Sequence, residues 1–260
     1  MNTWRLIPLE TYGAFMNMAI DEAILQSRMD NLVPNTLRFY QWKPSAVSIG
    51  KNQNPNDTVY VDNCRKLGVD IVRRNSGGGT VFHDQAGELT YSVTAQTRDL
   101  GKDVTEVYTR IYAAVTDALR LLGIPADYNS GDHKNCPNLT VNTRKISGSA
   151  QTIKRNVIQQ HGTLLLSVDL GLMFQLLRVP FTDDCGLAAQ TAQRKITSVQ
   201  TELGHAVTAE TASNALTQGF KAALKIRLNP AGLTLYEQAL AKKLYNGKYA
   251  TEGWNQNAKA

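Results

Sequence analysis

The sequence is short of cysteine, of long apolar runs and of concentrated charge. Its three cysteines, Cys64, Cys136 and Cys185, are odd in number and far apart. A disulfide framework is therefore not what holds the chain together, and the thiols read as reduced, in a cytoplasmic protein. No apolar run approaches the ~20 residues that span a bilayer; Leu164-Leu165-Leu166 is only the middle of a short strand. The start, Met1-Asn2-Thr3-Trp4-Arg5, has neither the basic region nor the apolar core of a secretory signal. Neither secretion nor membrane association is expected.

Several motifs are missing as well. There is no G-x-x-x-x-G-K-[ST] and no G-x-G-x-x-G opening a helix, so the common nucleotide cradles are excluded. No G-x-S-x-G nucleophile elbow occurs. His133 and Cys136 are the only close His/Cys pair, too sparse for a structural zinc site, and no metal ligands are legible. The 28 Lys+Arg and 22 Asp+Glu leave a net charge of +6, but Arg73-Arg74 and Lys242-Lys243 are the densest basic groups. Nucleic acid would require a basic stripe. An acidic protein or a phosphate-bearing small molecule is the better-matched partner.

What is present is an ordinary globular composition, 42% hydrophobic and 19% charged over 260 residues, expected to fold as one domain over residues 1–260. Phe15 to Arg28 has an apolar stripe at helical spacing, with Asp21 and Glu22 on the other face. Leu37–Trp42 and Ala46–Gly50 read as two strands joined by a turn, Asn63–Leu67 as a helix and Val69–Arg74 as a strand. Thr80–His83 and Glu88–Thr94 alternate around Gln85-Ala86-Gly87 and predict a hairpin. Val104–Leu122 is the longest helical pattern, stopped by Gly123 and Pro125. Short strands at 139–141, 144–146 and 162–168 precede a helix at 170–177, and from about 181 the pattern is mostly helical, closing on the polar Gly253-Trp254-Asn255-Gln256-Asn257. The fold class is α+β, a mixed sheet flanked by helices, because strict βαβ alternation is absent.

Two segments carry chemistry. In Arg73-Arg74-Asn75-Ser76-Gly77-Gly78-Gly79-Thr80-Val81-Phe82-His83-Asp84, three glycines at a strand end remove every β-carbon, so a ligand can approach the backbone and its amides can face an anion. The two arginines add charge suited to carboxylate or phosphate oxygens. A glycine triplet alone reads first as a flexible turn with solvated charges; Arg-Arg before it and His-Asp after it reverse the preference in favour of a binding loop. The second segment is Arg144-Lys145-Ile146-Ser147-Gly148-Ser149-Ala150-Gln151, followed by His161-Gly162-Thr163. Lys145 lies among small residues, either free in a loop or reaching a ligand as a point charge.

These segments, in this order and spacing, resemble the lipoate-protein ligase A family over nearly the whole chain, and the segment Lys248 to Asn255 resembles the short archaeal-type ligases. The resemblance implies a fold of the biotin/lipoate ligase type. It also implies activation of lipoate with ATP and Mg²⁺ to lipoyl-AMP, then transfer of the lipoyl group to a lysine of a lipoyl domain. Carried onto this chain, Lys145 is the catalytic residue, steadying the carboxylate and α-phosphate oxygens. Arg74, Gly77, Gly78 and Gly79 line the lipoyl and phosphate path, with Ser147 and Gly148 in the same binding set. His83 and Asp84 shape the loop, and His161 forms the far wall. Acidic lipoyl domains of 2-oxoacid dehydrogenases or the glycine cleavage H protein are the implied partners. A separate accessory-domain protein is implied too, since nothing after Asn255 supplies that domain. Ligases of this kind carry Asn-Asp where this chain has Pro137-Asn138, which leaves the metal site unassigned. Related octanoyltransferases need no ATP and use a cysteine in that loop; Cys136 lies there with His133 and Lys134 beside it, so it is either a spare thiol or an acyl nucleophile. Against the transferase, Gly79 keeps the ligase pattern.

Overall fold

Strand β1 (Thr3–Tyr12) leads into helix α1 (Ala14–Met29), followed by strands β2 (Thr36–Trp42) and β3 (Ala46–Ile49). Short helices α2 (Pro55–Thr58) and α3 (Val61–Leu67) precede strands β4 (Asp70–Arg73), β5 (Val81–His83) and β6 (Glu88–Gln96). A single turn, α4 (Thr97–Leu100), enters the long helix α5 (Val104–Leu121), and strands β7 (Asp127–Asn129), β8 (Asn138–Val141), β9 (Arg144–Lys154) and β10 (Val157–Leu165) follow. Helices α6 (Leu170–Leu176), α7 (Cys185–Gln193), α8 (Val199–Leu203) and α9 (Ala209–Leu224), strand β11 (Arg227–Pro230), helix α10 (Leu235–Leu244), a π-helical turn (Tyr245–Tyr249) and helix α11 (Glu252–Asn257) complete the order. This computed structural model describes residues 2–132 and 136–257.

Local chemistry accounts for the helix ends. Asp103 accepts a hydrogen bond from the Glu106 amide at the start of α5, and Gly123, at φ 85°, stops it in a conformation a β-carbon would strain. Thr234 and Glu237 close a reciprocal capping box on α10. Among the described residues no helix is long and apolar enough to cross a membrane.

Eight strands form one mixed sheet in the order β11-β1-β2-β6-β10-β9-β8-β7, and β4-β3-β5 form a second, smaller one. β1 runs parallel to both its neighbours, β2 and β11, while β2, β6, β10, β9 and β8 pair antiparallel in succession. This is the expected α+β architecture, a mixed sheet flanked by helices. Strand alternation gives the large sheet two different faces. Leu37 and Phe39 of β2, Leu89, Tyr91 and Val93 of β6 and Ile158 of β10 join the apolar core under α5 and α9. Arg38, Tyr40, Thr90, Gln159 and His161 are also buried and hydrogen-bond on the face toward α1. One face is thus an ordinary hydrophobic core and the other a buried polar layer.

Two expectations need correcting, the β5/β6 hairpin and the length of the strand at 144–146, and two more are filled in. β5 and β6 do not form a hairpin: β5 pairs with β3 in the small sheet, and β6 lies between β2 and β10 in the large one. Alternation marks a strand but does not choose its partner, and here the chain changes sheets at Asp84–Gly87. The strand read at 144–146, which holds Lys145, extends much further, β9 running to Lys154; its Ser, Gly, Ala and Gln residues lack strand propensity, and pairing on both sides overrides this. Asp21 and Glu22, read on the face of α1 away from its apolar stripe, are 2% and 5% exposed, because α1 is enclosed by the sheet on one side and by α10 and the π-helical turn on the other. The region after residue 181 also contributes an edge strand, β11.

Candidate active site

The glycine loop lies between β4 and β5 of the small sheet, and both arginines before it are turned inward. Arg73 is 1% exposed. Its guanidinium donates to the carbonyls of Gly50, Lys51 and Gln53 and, from the other side, to those of Trp254 and Asn255. Asn255 Oδ1 accepts from the Arg73 amide at 2.8 Å, and Trp254 Nε1 donates to the Arg73 carbonyl at 2.8 Å. The segment read as a polar tail is therefore a clasp on β4.

Arg74 grips the loop itself. Nη2 donates to the carbonyls of Gly77 at 2.6 Å and Gly79 at 2.7 Å, and Nη1 donates to the carbonyl and Oγ of Ser48, each at 3.2 Å. Burial lowers its pKa to about 10, so it stays charged at neutral pH. The hydrogen bonds of both guanidinia go to backbone carbonyls and to Ser48, while Arg74 also lines the cavity. In a planar trans peptide the N–H points opposite to the C=O. The amides of Gly78 and Thr80 consequently face away from Arg74, and neither has a backbone partner among the described residues. Gly78 sits at φ 85°, and a β-carbon on Gly50 would stand 2.1 Å from the Gly78 carbonyl oxygen. Glycine is required at both positions.

Two histidine chains stand beside the loop. Ser48 Oγ lies 2.8 Å from His83 Nε2, and His83 Nδ1 lies 2.8 Å from Glu88 Oε1. An ionised Glu88 can only accept, which places a ring proton on Nδ1, toward the carboxylate. The ring also stacks on Trp42, with centroids 3.9 Å apart. In the second chain Ser76 Oγ lies 2.7 Å from His161 Nε2, and His161 Nδ1 lies 3.3 Å from Asp21 Oδ2. Arg38 pairs with Asp21 at 2.8 Å and the Tyr40 hydroxyl donates to it at 3.1 Å. Burial holds the pKa of His161 below its ordinary value, against the opposing pull of Asp21. Burial alone would raise the pKa of Asp21; the His161 hydrogen bond and the Arg38 charge outweigh that and lower it. The pair is thus neutral imidazole beside carboxylate.

Lys145 enters from the opposite wall. Its amide donates to the Lys195 carbonyl and its own carbonyl accepts from the Thr197 amide, so the backbone is held while the side chain crosses Gly148. Desolvation of the ammonium lowers its pKa, Cys136 opposes the shift and the charge of Arg74 adds to it, although the residue as a whole remains exposed. Gly148 pairs with Asn138, the first residue of β8, and Cys136 lies two residues earlier. Strand pairing therefore brings the thiol and the ammonium to the same end of the β8/β9 ladder.

These walls enclose a cavity of about 140 Å³. Of the residues singled out in the sequence, Arg74, Gly78, Gly79, His83, Lys145, Gly148, His161 and Cys136 line it. Gly77, Asp84 and Ser147 do not. Gly77 supplies a carbonyl to Arg74, Asp84 caps the turn after β5 through the Ala86 amide, and Ser147 is fully buried. His133 and Lys134 lie outside the described residues. Ser48, Trp42, Thr90 and Asp21 were not legible as site residues, since each is a common residue inside a strand or helical pattern; Ser76 stood in the glycine-loop segment without a role of its own. Among the described residues no three His, Cys, Asp or Glu side chains gather as metal ligands. The nearby carboxylates of Asp21 and Glu88 are engaged by Arg38, His161, His83 and Thr90.

A mixed sheet thus carries an arginine-braced glycine loop on one wall of the cavity and a lysine on the other. The family model for the lipoyl protein ligase A/B catalytic domain matches residues 13–221, and the chain belongs to that family. It is 35% identical over 98% of its length to the octanoyltransferase LipM of Brevibacillus brevis, covering 99% of that protein. To the octanoyltransferase LipM of Symbiobacterium thermophilum it is 37% identical, with 97% of each chain covered. The bi-partite lipoate protein ligase solved with its E2 lipoyl domain from Thermoplasma acidophilum superposes at a TM-score of 0.86, with 28% identity and coverage of 100% and 98%. A lipoate-protein ligase A bound with ATP superposes at 0.85, with 29% identity and coverage of 99% and 100%.

Proposed function

We propose that this enzyme is an octanoyltransferase working through Cys136. The observation that carries the reading is that Cys136 and Lys145 line one cavity, with Pro137-Asn138 where ATP-dependent ligases carry an acidic residue. Relatives named octanoyltransferase over almost the full chain support it, and Gly79 at the third loop position does not prevent it. The octanoyl group arrives as a thioester on acyl carrier protein. The Cys136 thiolate attacks the carbonyl, the carrier sulfur leaves and takes up a proton, and octanoyl is held as a Cys136 thioester. A lysine amine of an acidic lipoyl domain then attacks that thioester; an amide forms, the amine loses its proton and the Cys136 thiol is restored. Lys145 and the free amides of the glycine loop stabilise the oxyanion in both steps. Residues 1–260 act as one catalytic unit, in the cytoplasm, where the carrier and the lipoyl domains of 2-oxoacid dehydrogenases or the H protein are found.

The second reading is an ATP-dependent lipoate-protein ligase, favoured by Gly79 and by the ligases of like structure. It would use lipoate and Mg-ATP on the same walls, with a separate accessory protein. Purified enzyme mixed with a lipoyl domain separates the two by intact mass. Octanoyl-carrier should modify the domain and Cys136→Ser should abolish transfer, whereas lipoate with Mg-ATP should give no product. Lipoate- and ATP-dependent product indifferent to Cys136→Ser would sink the transferase reading.

A further inference from the structure

Pro137 fixes how Cys136 leaves β8. A residue before proline is restricted to extended conformations, so the direction of Cys136 is set largely by where the Pro137 carbonyl is held. That carbonyl accepts a hydrogen bond from the Tyr112 hydroxyl of α5 at 2.9 Å. Tyr112 in turn accepts from Ser149 Oγ of β9 at 2.8 Å, and Ser149 Oγ accepts from Gln160 Nε2 of β10 at 3.0 Å. The direction of every bond is forced. A carbonyl can only accept, so the tyrosine proton goes to Pro137, the serine proton to Tyr112, and the amide must donate to Ser149. Tyr112 is fully buried, and burial, with neighbouring tyrosines, keeps its pKa well above the ordinary value, so it remains a donor over the working range. Asn138 Nδ2 adds a grip on the Cys136 carbonyl at 3.2 Å.

We infer that Gln160, Ser149 and Tyr112 form a positioning relay that aims Cys136 at the acyl carbonyl beside Lys145. The inference rests on the octanoyltransferase reading. Tyr112 and Gln160 are fully buried, while Ser149 is half-buried and lines the cavity; buried polar groups such as the first two cost stability that an apolar filling would not. Tyr112 and Gln160 are not among the residues that line the cavity, whereas Ser149 is; in this scheme none of the three is given contact with the reacting atoms, and Tyr112→Phe is the variant that tests positioning alone. Their effect belongs in the rate of Cys136 acylation rather than in carrier affinity, because the placement of a nucleophile sets its rate.

The test uses the full chain with octanoyl-acyl carrier protein, following acylation of Cys136 by quenched intact mass in wild type, Tyr112→Phe, Ser149→Ala and the double variant, below their melting midpoints. Each single variant should acylate about 10- to 100-fold more slowly with KM for the carrier within about twofold, and the double variant should be no slower than the slower single, as expected of links in series. Peptide-mapped alkylation of Cys136 by iodoacetamide, which needs no substrate, should also change by about threefold or more in Tyr112→Phe. Unchanged alkylation, wild-type acylation in Tyr112→Phe, or multiplying losses in the double variant each overturn the relay. A wild-type enzyme that never carries octanoyl on Cys136 overturns the transferase reading instead, and the alkylation result still decides whether the relay positions the thiol.

Discussion

The end of the Lys145 side chain occupies the space a β-carbon would take on Gly148: such an atom would stand 2.6 Å from both Cε and Nζ. The glycine is there to let the lysine cross its own strand. Gly148→Ala should swing the ammonium away from the cavity while the protein stays folded, because the displaced atoms are the free end of a flexible chain. Octanoyl transfer is expected to fall about 100-fold, with the melting midpoint shifted by no more than a few degrees. A variant that keeps full turnover would show that the lysine works from another position.

Lys145→Ala removes the charge and leaves the loop amides in place. Loss of one preorganised oxyanion donor costs on the order of 10²- to 10³-fold in turnover, and single-turnover transfer assays should show that loss. Undiminished transfer would withdraw Lys145 from the chemistry.

Arg74→Lys keeps a positive charge but replaces a fork reaching Ser48, Gly77 and Gly79 with a single ammonium. The carbonyls left unpaired cost about 1–3 kcal/mol, measurable by denaturant unfolding. Amide hydrogen exchange should quicken at Asn75–Thr80 and leave α5 unaffected. Equal protection in both proteins would mean that the loop is held some other way.

The buried His161–Asp21 pair sets an acid limit on stability. His161 titrates below its ordinary value of 6.5 when folded, so the unfolded chain binds more protons and stability falls as pH drops from about 6.5 through the folded pKa. Asp21 and Glu22, lowered from 3.8 and 4.5, are stabilising above those values and add their loss only at more acid pH. Urea unfolding between pH 7 and 5 should therefore slope downward in wild type and flatten in His161→Gln. The same slope in both would place the titrating group elsewhere.

Much of this was open to reading before any coordinates. The period of α1, α5, α9 and α10 follows from apolar spacing, and the glycine loop and Lys145 stand out because small and charged residues cluster there. Three things were hidden for physical reasons. Which strands pair depends on long-range packing, so β5 and β6 looked like one hairpin. Asp21 has the helical position of a solvated residue, and only the meeting of α1 with Arg38 and His161 shows it to be buried and paired. Tyr112 lies on an amphipathic helix like any core aromatic; its hydroxyl acquires meaning only from Pro137 across the fold.

The clasp of Trp254 and Asn255 on Arg73 joins residues about 180 positions apart in the chain. During synthesis the glycine loop emerges early, yet its neighbour Arg73 lacks these carbonyl partners until the distant segment has been made. Contacts of such sequence separation close late. The binding wall is thus completed among the last events of folding, and a growing chain that already displays Cys136 and Lys145 does not yet have a finished cavity in which to use them.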